Sequence, residues 1–436
     1  METRGPDGPF PVLQVALDFV ELRRALQVAE EAVAGGVDWL EAGTPLIKSE
    51  GLDAVRALRE RYPDRVVVAD MKVIDTGRIE VEAAAKSGAS IVAVLGVASD
   101  ATIRECIEAG RNYGCRILVD LMGVEDRAAR AREVADWGAD YVGVHLPVDL
   151  QMQGQDALQV LRDLSGAVDV PVAVAGGVNS ETAASTVQAG AQIVIVGGAI
   201  HKAPDSRAAA AAIRRALDEG VSVATDLYKR GGETEIRDIL MRVSASNLSD
   251  ALHRGGVLGG VRCLTPGRKL VGPAYTARTA PGDWAKPVEA IDAAEPGDVL
   301  VIDAGGVPPA VWGSCATQSA VGRKLAGVVI HGAVRDIDEV LEMDLPVFAT
   351  HVVPHAGEPR GLGELDVPVV MGGRRVAPGD WILGDGCGVV SIERTRAVEY
   401  ANRAQDVYET ENRIHGEIGR GSTLGQVAQL LRWERK

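Results

Sequence analysis

No apolar stretch in this chain reaches the roughly 18 residues that a membrane-crossing helix needs, so a membrane-embedded fold is not expected. The opening residues, METRGPDGPF, lack an apolar run behind a basic start. No secretory leader is therefore expected, and the protein reads as cytoplasmic. Cysteine is sparse: Cys106, Cys115, Cys263, Cys315 and Cys387 are scattered and form no CxxC pair. That pattern argues against a disulfide framework or a structural zinc site and for a reducing compartment. Basic residues are in deficit, 46 Lys and Arg against 61 Asp and Glu, and a formal net charge of −15 disfavours a nucleic-acid partner. Aromatics are few, and neither low-complexity tracts nor a repeat between the halves is visible. What is present is 436 residues, 46% hydrophobic and 25% charged, enough for two or three domains with separate cores.

From residue 11 to about 217, short β-rich runs alternate with helical patterns. The runs are Val12–Leu17, Asp38–Glu41, Val66–Asp70, Ile91–Leu95, Ile117–Asp120, Tyr141–His145, Val172–Ala175 and Ile193–Val196. Runs that are apolar throughout suit parallel strands buried on both faces. Eight regular β/α units predict a closed (β/α)8 TIM barrel over residues 1–219. Residues 220–234, including DLYKRGG, read as a linker. Residues 235–436 form a second α/β region, rich in Gly, Pro and short strand signals, closing with helices near Thr395–Ile418 and Thr423–Arg432. Its two Pro-Gly-Asp turns, at Pro296 and Pro378, each precede an apolar run, and each Asp is placed to bond local backbone N–H groups.

Active sites of such barrels lie at the C-terminal strand ends. There stand Asp18, Glu41, Asp70 with Lys72, and His145, and paired glycines close the last two runs: Gly176 with Gly177, Gly197 with Gly198. Glycines let backbone N–H groups approach a phosphate, and sites after strands seven and eight commonly hold one. An extended Asp70-Met71-Lys72 puts both charges on one strand face. Lys72, kept protonated among carboxylates, suits a developing oxyanion. Glu41 and Asp70, on neighbouring strands, suit Mg²⁺, a hard cation that prefers oxygen.

The runs VALD (Val15–Asp18), LEAGTPLIKSEG (Leu40–Gly51), ADMKVIDTG (Ala69–Gly77), VAGG (Val174–Gly177) and VGGAI (Val196–Ile200) resemble hexulose-6-phosphate synthase of the orotidine-5′-phosphate decarboxylase suprafamily. The resemblance spans the first half and implies an aldehyde-lyase. Its reaction would be Mg²⁺-dependent aldol addition of formaldehyde to ribulose 5-phosphate, or the reverse cleavage. It implies Glu41 and Asp70 as metal ligands, Lys72 steadying the enediolate, Asp18 on substrate hydroxyls and His145 in proton transfer. Asp75 would reach a neighbouring subunit's site, and the four glycines would hold the phosphate. The related 3-keto-L-gulonate-6-phosphate decarboxylase carries an arginine shortly after the histidine. Here the segment His145-Leu146-Pro147-Val148-Asp149-Leu150-Gln151 has none, which favours the synthase.

In the second region, His331-Gly332-Ala333-Val334-Arg335-Asp336 leaves a β-like run and enters a helical one. The Arg335 fork suits a carboxylate and Asp336 a metal. With Ser246–Leu252, Gly272-Pro273-Ala274 and Gly384-Asp385-Gly386, this order resembles the regulator of ribonuclease activity A (RraA-like) family, whose fold is a swivelling-type α/β domain. Its relatives include metal-dependent class II 4-hydroxy-4-methyl-2-oxoglutarate aldolases. The resemblance implies pyruvate carboxylate on Arg335 and Mg²⁺ or Mn²⁺ on Asp336. Those aldolases carry an acid 21 positions before the arginine; here Ser314 stands there, so a noncatalytic assembly or regulatory module is the competing reading. His351 and His355, separated by Pro354, read as loop histidines. Barrels of the first family dimerise and members of the second form trimers, which implies a homo-oligomer, a hexamer if both contacts form.

Overall fold

A computed structural model describes residues 4–6, 8–154, 158–164 and 166–427. Its contacts divide the chain into two compact units. The first comprises Met1–Gln151, Gln155–Arg230 and Glu409–Lys436; the second comprises Met152–Gly154 and Gly231–Tyr408. No helix among the described residues is long and apolar enough to cross a membrane.

The first unit is a closed barrel of eight parallel strands. They are β1 (Val12–Leu17), β2 (Trp39–Ala42), β3 (Val66–Val73), β4 (Ile91–Leu95), β5 (Arg116–Asp120), β6 (Tyr141–His145), β7 (Val172–Ala175) and β8 (Ile193–Val196). Closure is made where β1 pairs with β8, Val12 opposite Ile193. Because side chains alternate along a strand, every second residue faces the barrel interior. Near the strand starts the interior is apolar, packed with Val12, Trp39, Val66, Ile91, Leu118, Tyr141 and Ile193. Two or four residues further on, the same alternation turns polar: Gln14, Glu41, Asp70, Asp120 and His145. The outward set, such as Leu13, Val15, Val67, Val92 and Val194, packs under the helices as a separate core. Local signals start and stop those helices: the Ser99 hydroxyl caps Asp100–Tyr113 by accepting from the Thr102 N–H, and Gly114, at φ 73°, ends it.

Of residues 220–234, expected as a linker, 220–230 instead belong to the barrel unit and 231–234 to the second. Val223 donates its N–H to the Ser180 carbonyl at 3.0 Å, and Ser180 returns a bond to the Val223 carbonyl at 2.8 Å. Glu409, Arg413 and Glu417, on the late helix Ala397–Gly419, also belong to this unit. Glu417 there clamps Arg24 with bonds of 2.6 and 2.7 Å, and it pairs with Arg413 at 2.8 Å. The helix expected over Thr423–Arg432 is described only as Leu424–Val427; its remainder lies outside the described residues.

The second unit is built on a mixed sheet. Its strands are β9 (Arg262–Cys263), β10 (Leu270–Thr279), β11 (Val299–Asp303), β12 (Ala310–Trp312), β13 (Gly327–Val334), β14 (Val347–Val352), β15 (Gly363–Leu365), β16 (Val369–Met371), β17 (Arg374–Val376), β18 (Trp381–Asp385) and β19 (Gly388–Ile392). The main path runs β19-β18-β10-β11-β13-β14-β9, parallel from β10 to β14 and antiparallel outside it. β16 and β17 form a separate hairpin. Both Pro-Gly-Asp turns work as their chemistry predicts: Asp298 accepts the Glu295 N–H at 3.0 Å, and Asp380 accepts that of Ala377 at 2.8 Å.

Candidate active site

The barrel's C-terminal mouth encloses a pocket in which Asp18, Glu41, Asp70, Lys72 and His145 converge. Asp120, at the end of β5, stands at its centre and was not among the residues expected there. Its Oδ2 accepts from Lys72 Nζ at 2.9 Å and pairs with His145 Nδ1 at 3.2 Å. Its Oδ1 accepts the Met122 N–H at 2.9 Å. Burial pushes this carboxyl up, but the bond from His145 and the Lys72 charge outweigh it and hold it down at about 2. An ionised Asp120 accepts the Nδ1 proton of His145, which in the neutral imidazole leaves Nε2 as the acceptor. The signal for Asp120 was available, since it lies two residues beyond the inward Leu118.

Lys72 Nζ also donates to Asp70 Oδ1 at 2.9 Å. Burial alone would favour the neutral amine; Asp70 and Asp120 overcome it and raise the group well above its ordinary value. The two residues do not meet by extended alternation, as the sequence suggested. The β3–β4 register shifts between Ala69 and Val73, and Lys72 takes a left-handed φ of 51°. A lysine held there is strained, and such strain is retained where surrounding contacts over-determine the position.

The acids repel one another. Loss of hydration, then Asp70 and Asp18, push the Glu41 carboxyl well above its usual range. Asp18 is pushed up by the same loss of hydration and then by Asp70, although solvent reaches it at the concave mouth. Thr44 donates its hydroxyl to Asp70 Oδ2 at 2.7 Å, and the Gln14 amide donates to Glu41. Gln14 Oε1, buried beside Glu41, has no hydrogen-bond partner. An oxygen-rich, mutually repelling set with an unsatisfied carbonyl fits a hard divalent cation. Among the described residues no group of three or more His, Cys, Asp or Glu could hold an ion alone. Mg²⁺ commonly takes one or two carboxylates and completes its shell with water and substrate oxygens.

Gly176, Gly177 and Gly198 also line the pocket, at the ends of β7 and β8, between His145 and Asp18. Gly176 and Gly177 have φ of 107° and 75°, a backbone form that other residues resist. Gly197 backs Asp18: a Cβ there would stand 3.3 Å from Asp18 Oδ2. A Cβ on Gly198 would meet the Tyr228 ring at 2.1 Å. Tyr228 lines the pocket as well, and nothing in its linker-like context announced it. Asp75 is not brought to this pocket. It is exposed, accepting the Thr76 N–H at 2.7 Å, between the exposed Ile74 and Ile79.

In the second unit, Arg335 and Asp336 share a cleft with Trp284, Trp312, Gly313 and Glu358. Asp336, at φ 56°, has its Oδ2 3.4 Å from Arg335 Nε. The same oxygen accepts from the Ser314 N–H at 3.3 Å and the Ser314 hydroxyl at 3.4 Å. His355 lies in a loop, but His351 is on β14 and bonds the Gly306 carbonyl at 3.0 Å. His331 Nδ1 meets Asp303 Oδ1 at 3.0 Å.

Two family models match the chain. Residues 11–213 match Orotidine 5'-phosphate decarboxylase / HUMPS family, and residues 245–391 match RraA-like, Aldolase/RraA. The chain is 42% identical to a 3-hexulose-6-phosphate synthase of Mycobacterium gastri, over 47% of this chain and 99% of that protein. It is 36% identical to that of Bacillus subtilis (strain 168), over 48% and 99% respectively. Its second half is similar to the RNA-processing inhibitor RraA from Thermus thermophilis: 31% identity, 34% of this chain and 90% of that one, TM-score 0.32.

Proposed function

Since the chain belongs to the orotidine 5′-phosphate decarboxylase / HUMPS family through a barrel of the 3-hexulose-6-phosphate synthase kind, a lyase, we propose that this barrel joins formaldehyde to ribulose 5-phosphate, giving hexulose 6-phosphate, or runs the reverse cleavage. The observation that carries the reading is the convergence of Asp18, Glu41, Asp70, Lys72, Asp120 and His145 on one mouth, in a pocket also lined by Gly177 and Gly198.

In the forward direction, a proton leaves C1 of the ketose, the resulting enediolate attacks the formaldehyde carbon, and the new alkoxide takes up a proton. His145 Nε2 is the base that accepts the C1 proton and returns one to the new hydroxyl, with Asp120 fixing its tautomer. Lys72 stays charged and faces the enediolate oxygen, where positive charge lowers the barrier. Glu41 and Asp70 hold Mg²⁺, which when bound supplies Lewis-acid polarisation of the carbonyl. Asp18 orients substrate hydroxyls. Backbone N–H groups beside Gly176, Gly177, Gly197 and Gly198 receive the phosphate. The exposure of Ile74 and Ile79 beside Asp75 supports a role for Asp75 at the site of a partner subunit in a homo-oligomer.

For the RraA-like unit we infer a noncatalytic module, because Asp336 is engaged by Ser314 where a second acid would be needed. Oxaloacetate supplied to the full chain with Mn²⁺ or Mg²⁺ should then yield no pyruvate above background; enzymatic release overturns that inference. The barrel assignment is tested with ribulose 5-phosphate, formaldehyde and Mg²⁺, reading hexulose 6-phosphate, with Asp70→Asn as the inactive control. Absence of product, with turnover instead of 3-keto-L-gulonate 6-phosphate, refutes it.

A further inference from the structure

The family-matched barrel ends at residue 213, yet one wall of its pocket comes from beyond that point. Residues 223–230 are laid along Asn179–Glu181, the turn that directly follows Gly176, Gly177 and Val178. Besides the paired Val223 and Ser180 bonds, the Thr225 N–H donates to Glu181 at 3.0 Å, and Lys229 pairs with Glu181 at 2.9 Å. The Asn179 amide donates to the Leu227 carbonyl at 3.3 Å and to that of Tyr228 at 3.4 Å. This lacing presents Tyr228 to the pocket. Its ring covers Gly198, and its hydroxyl donates to Gln151 Oε1 at 3.1 Å. Gln151 is oriented by its own bond to the Leu146 carbonyl at 2.7 Å. Lys202 lies 5.9 Å from the ring centroid, bringing positive charge to the same end.

A second anchor comes from far along the chain. Glu409 accepts the Tyr228 N–H at 2.8 Å and holds Arg230 through bonds of 2.9 and 3.2 Å. Arg230 in turn stacks over the Tyr228 ring, 4.2 Å from its centroid. Tyr228 takes a left-handed φ of 53°, a conformation that costs energy and persists because both anchors hold it. So much structure spent on one side chain over a glycine pair points to a ligand-facing role.

We propose that Tyr228 is a specificity-determining residue for the phosphate end of the barrel pocket. The ring flanks the Gly198 backbone and Gln151 that of Gly177, so a terminal phosphomonoester meets these half-buried N–H groups with one side shielded from competing water. The ligand's identity rests on the synthase reading; the wall itself does not.

The experiment uses the full chain and two readouts. Inorganic phosphate binding is measured by calorimetry, without turnover, and initial rates give KM for ribulose 5-phosphate separately from kcat. Tyr228→Ala should weaken phosphate binding and raise KM together by about tenfold, with kcat within about threefold, the pattern of lost uniform binding. Tyr228→Phe keeps the ring and loses one neutral hydrogen bond, so it should restore most of that loss, leaving at most about a fivefold effect. Glu409→Gln should weaken phosphate binding several-fold by loosening Tyr228. If Tyr228→Ala fails to fold, Glu409→Gln and Tyr228→Phe decide. Phosphate affinity equal to wild type in every folded variant, or a fall in kcat with KM unchanged, overturns the proposal. A wild type that binds phosphate but makes no hexulose phosphate refutes the reaction and leaves the phosphate wall standing.

Discussion

Asp120→Asn removes one charge from the centre of the pocket while keeping its shape. The carboxylate serves three donors: Lys72 and His145 on one oxygen, Met122 N–H on the other. An amide keeps a single acceptor oxygen and adds two N–H donors, so it cannot satisfy both ends. Asp120 is buried, and the drop of its carboxyl from 3.8 to about 2 is worth about 2 kcal/mol of stability at neutral pH. Urea unfolding at pH 7 should report a loss of that size. The larger effect falls on turnover. His145 loses the acceptor that keeps its proton on Nδ1, and a positioned acid–base group contributes about 100- to 10,000-fold. We expect kcat to fall by about 100-fold, with KM for ribulose 5-phosphate nearly unchanged because the phosphate end is untouched. A folded variant whose kcat stays within about threefold of wild type would refute the claim that Asp120 orients His145.

Acid should act on the metal-free barrel in two stages. Asp18 and Glu41, raised by burial, are unfavourable when charged, so their protonation relieves strain first; Asp120, depressed, loses its stabilising contribution only as pH falls from about 4 towards 2. Urea midpoints against pH should therefore hold or rise before dropping below about pH 4, and a steady decline from neutrality contradicts this. Glu417→Ala leaves the buried Arg24 and Arg413 guanidinium groups without their shared partner, at a cost of about 3 kcal/mol or more; a urea-measured loss under about 1 kcal/mol counts against the late helix as part of the barrel. Gly198→Ala would drive a methyl into the Tyr228 ring, so calorimetry should find phosphate binding weakened as in Tyr228→Ala.

The contrast between Asp70 and Tyr228 separates what is readable in this chain from what is not. Asp18, Glu41, Asp70 and His145 could be placed because each lies on or just beyond a barrel strand, at an inward position of a period-two pattern, and that pattern is local. Asp120 obeys the same rule, yet it ends an otherwise apolar run and sits in no recognised motif. Applying the inward count from Leu118 to all eight strands would have included it. Lys72 lies in the pocket, but not by the extended geometry its sequence suggests. It meets Asp70 and Asp120 across an irregularity in the β3–β4 ladder, which depends on a neighbouring strand's register. Tyr228 had no local signature at all. Asp-Leu-Tyr-Lys-Arg-Gly-Gly is polar and turn-prone because its bonding partners lie elsewhere, on Asn179, Glu181 and Glu409. A segment that satisfies its backbone on distant side chains carries the composition of a linker, and only the folded chain distinguishes the two. Residues that build a pocket from outside the repeating unit must therefore be sought in three dimensions, at the places where a supposed linker buries an aromatic ring.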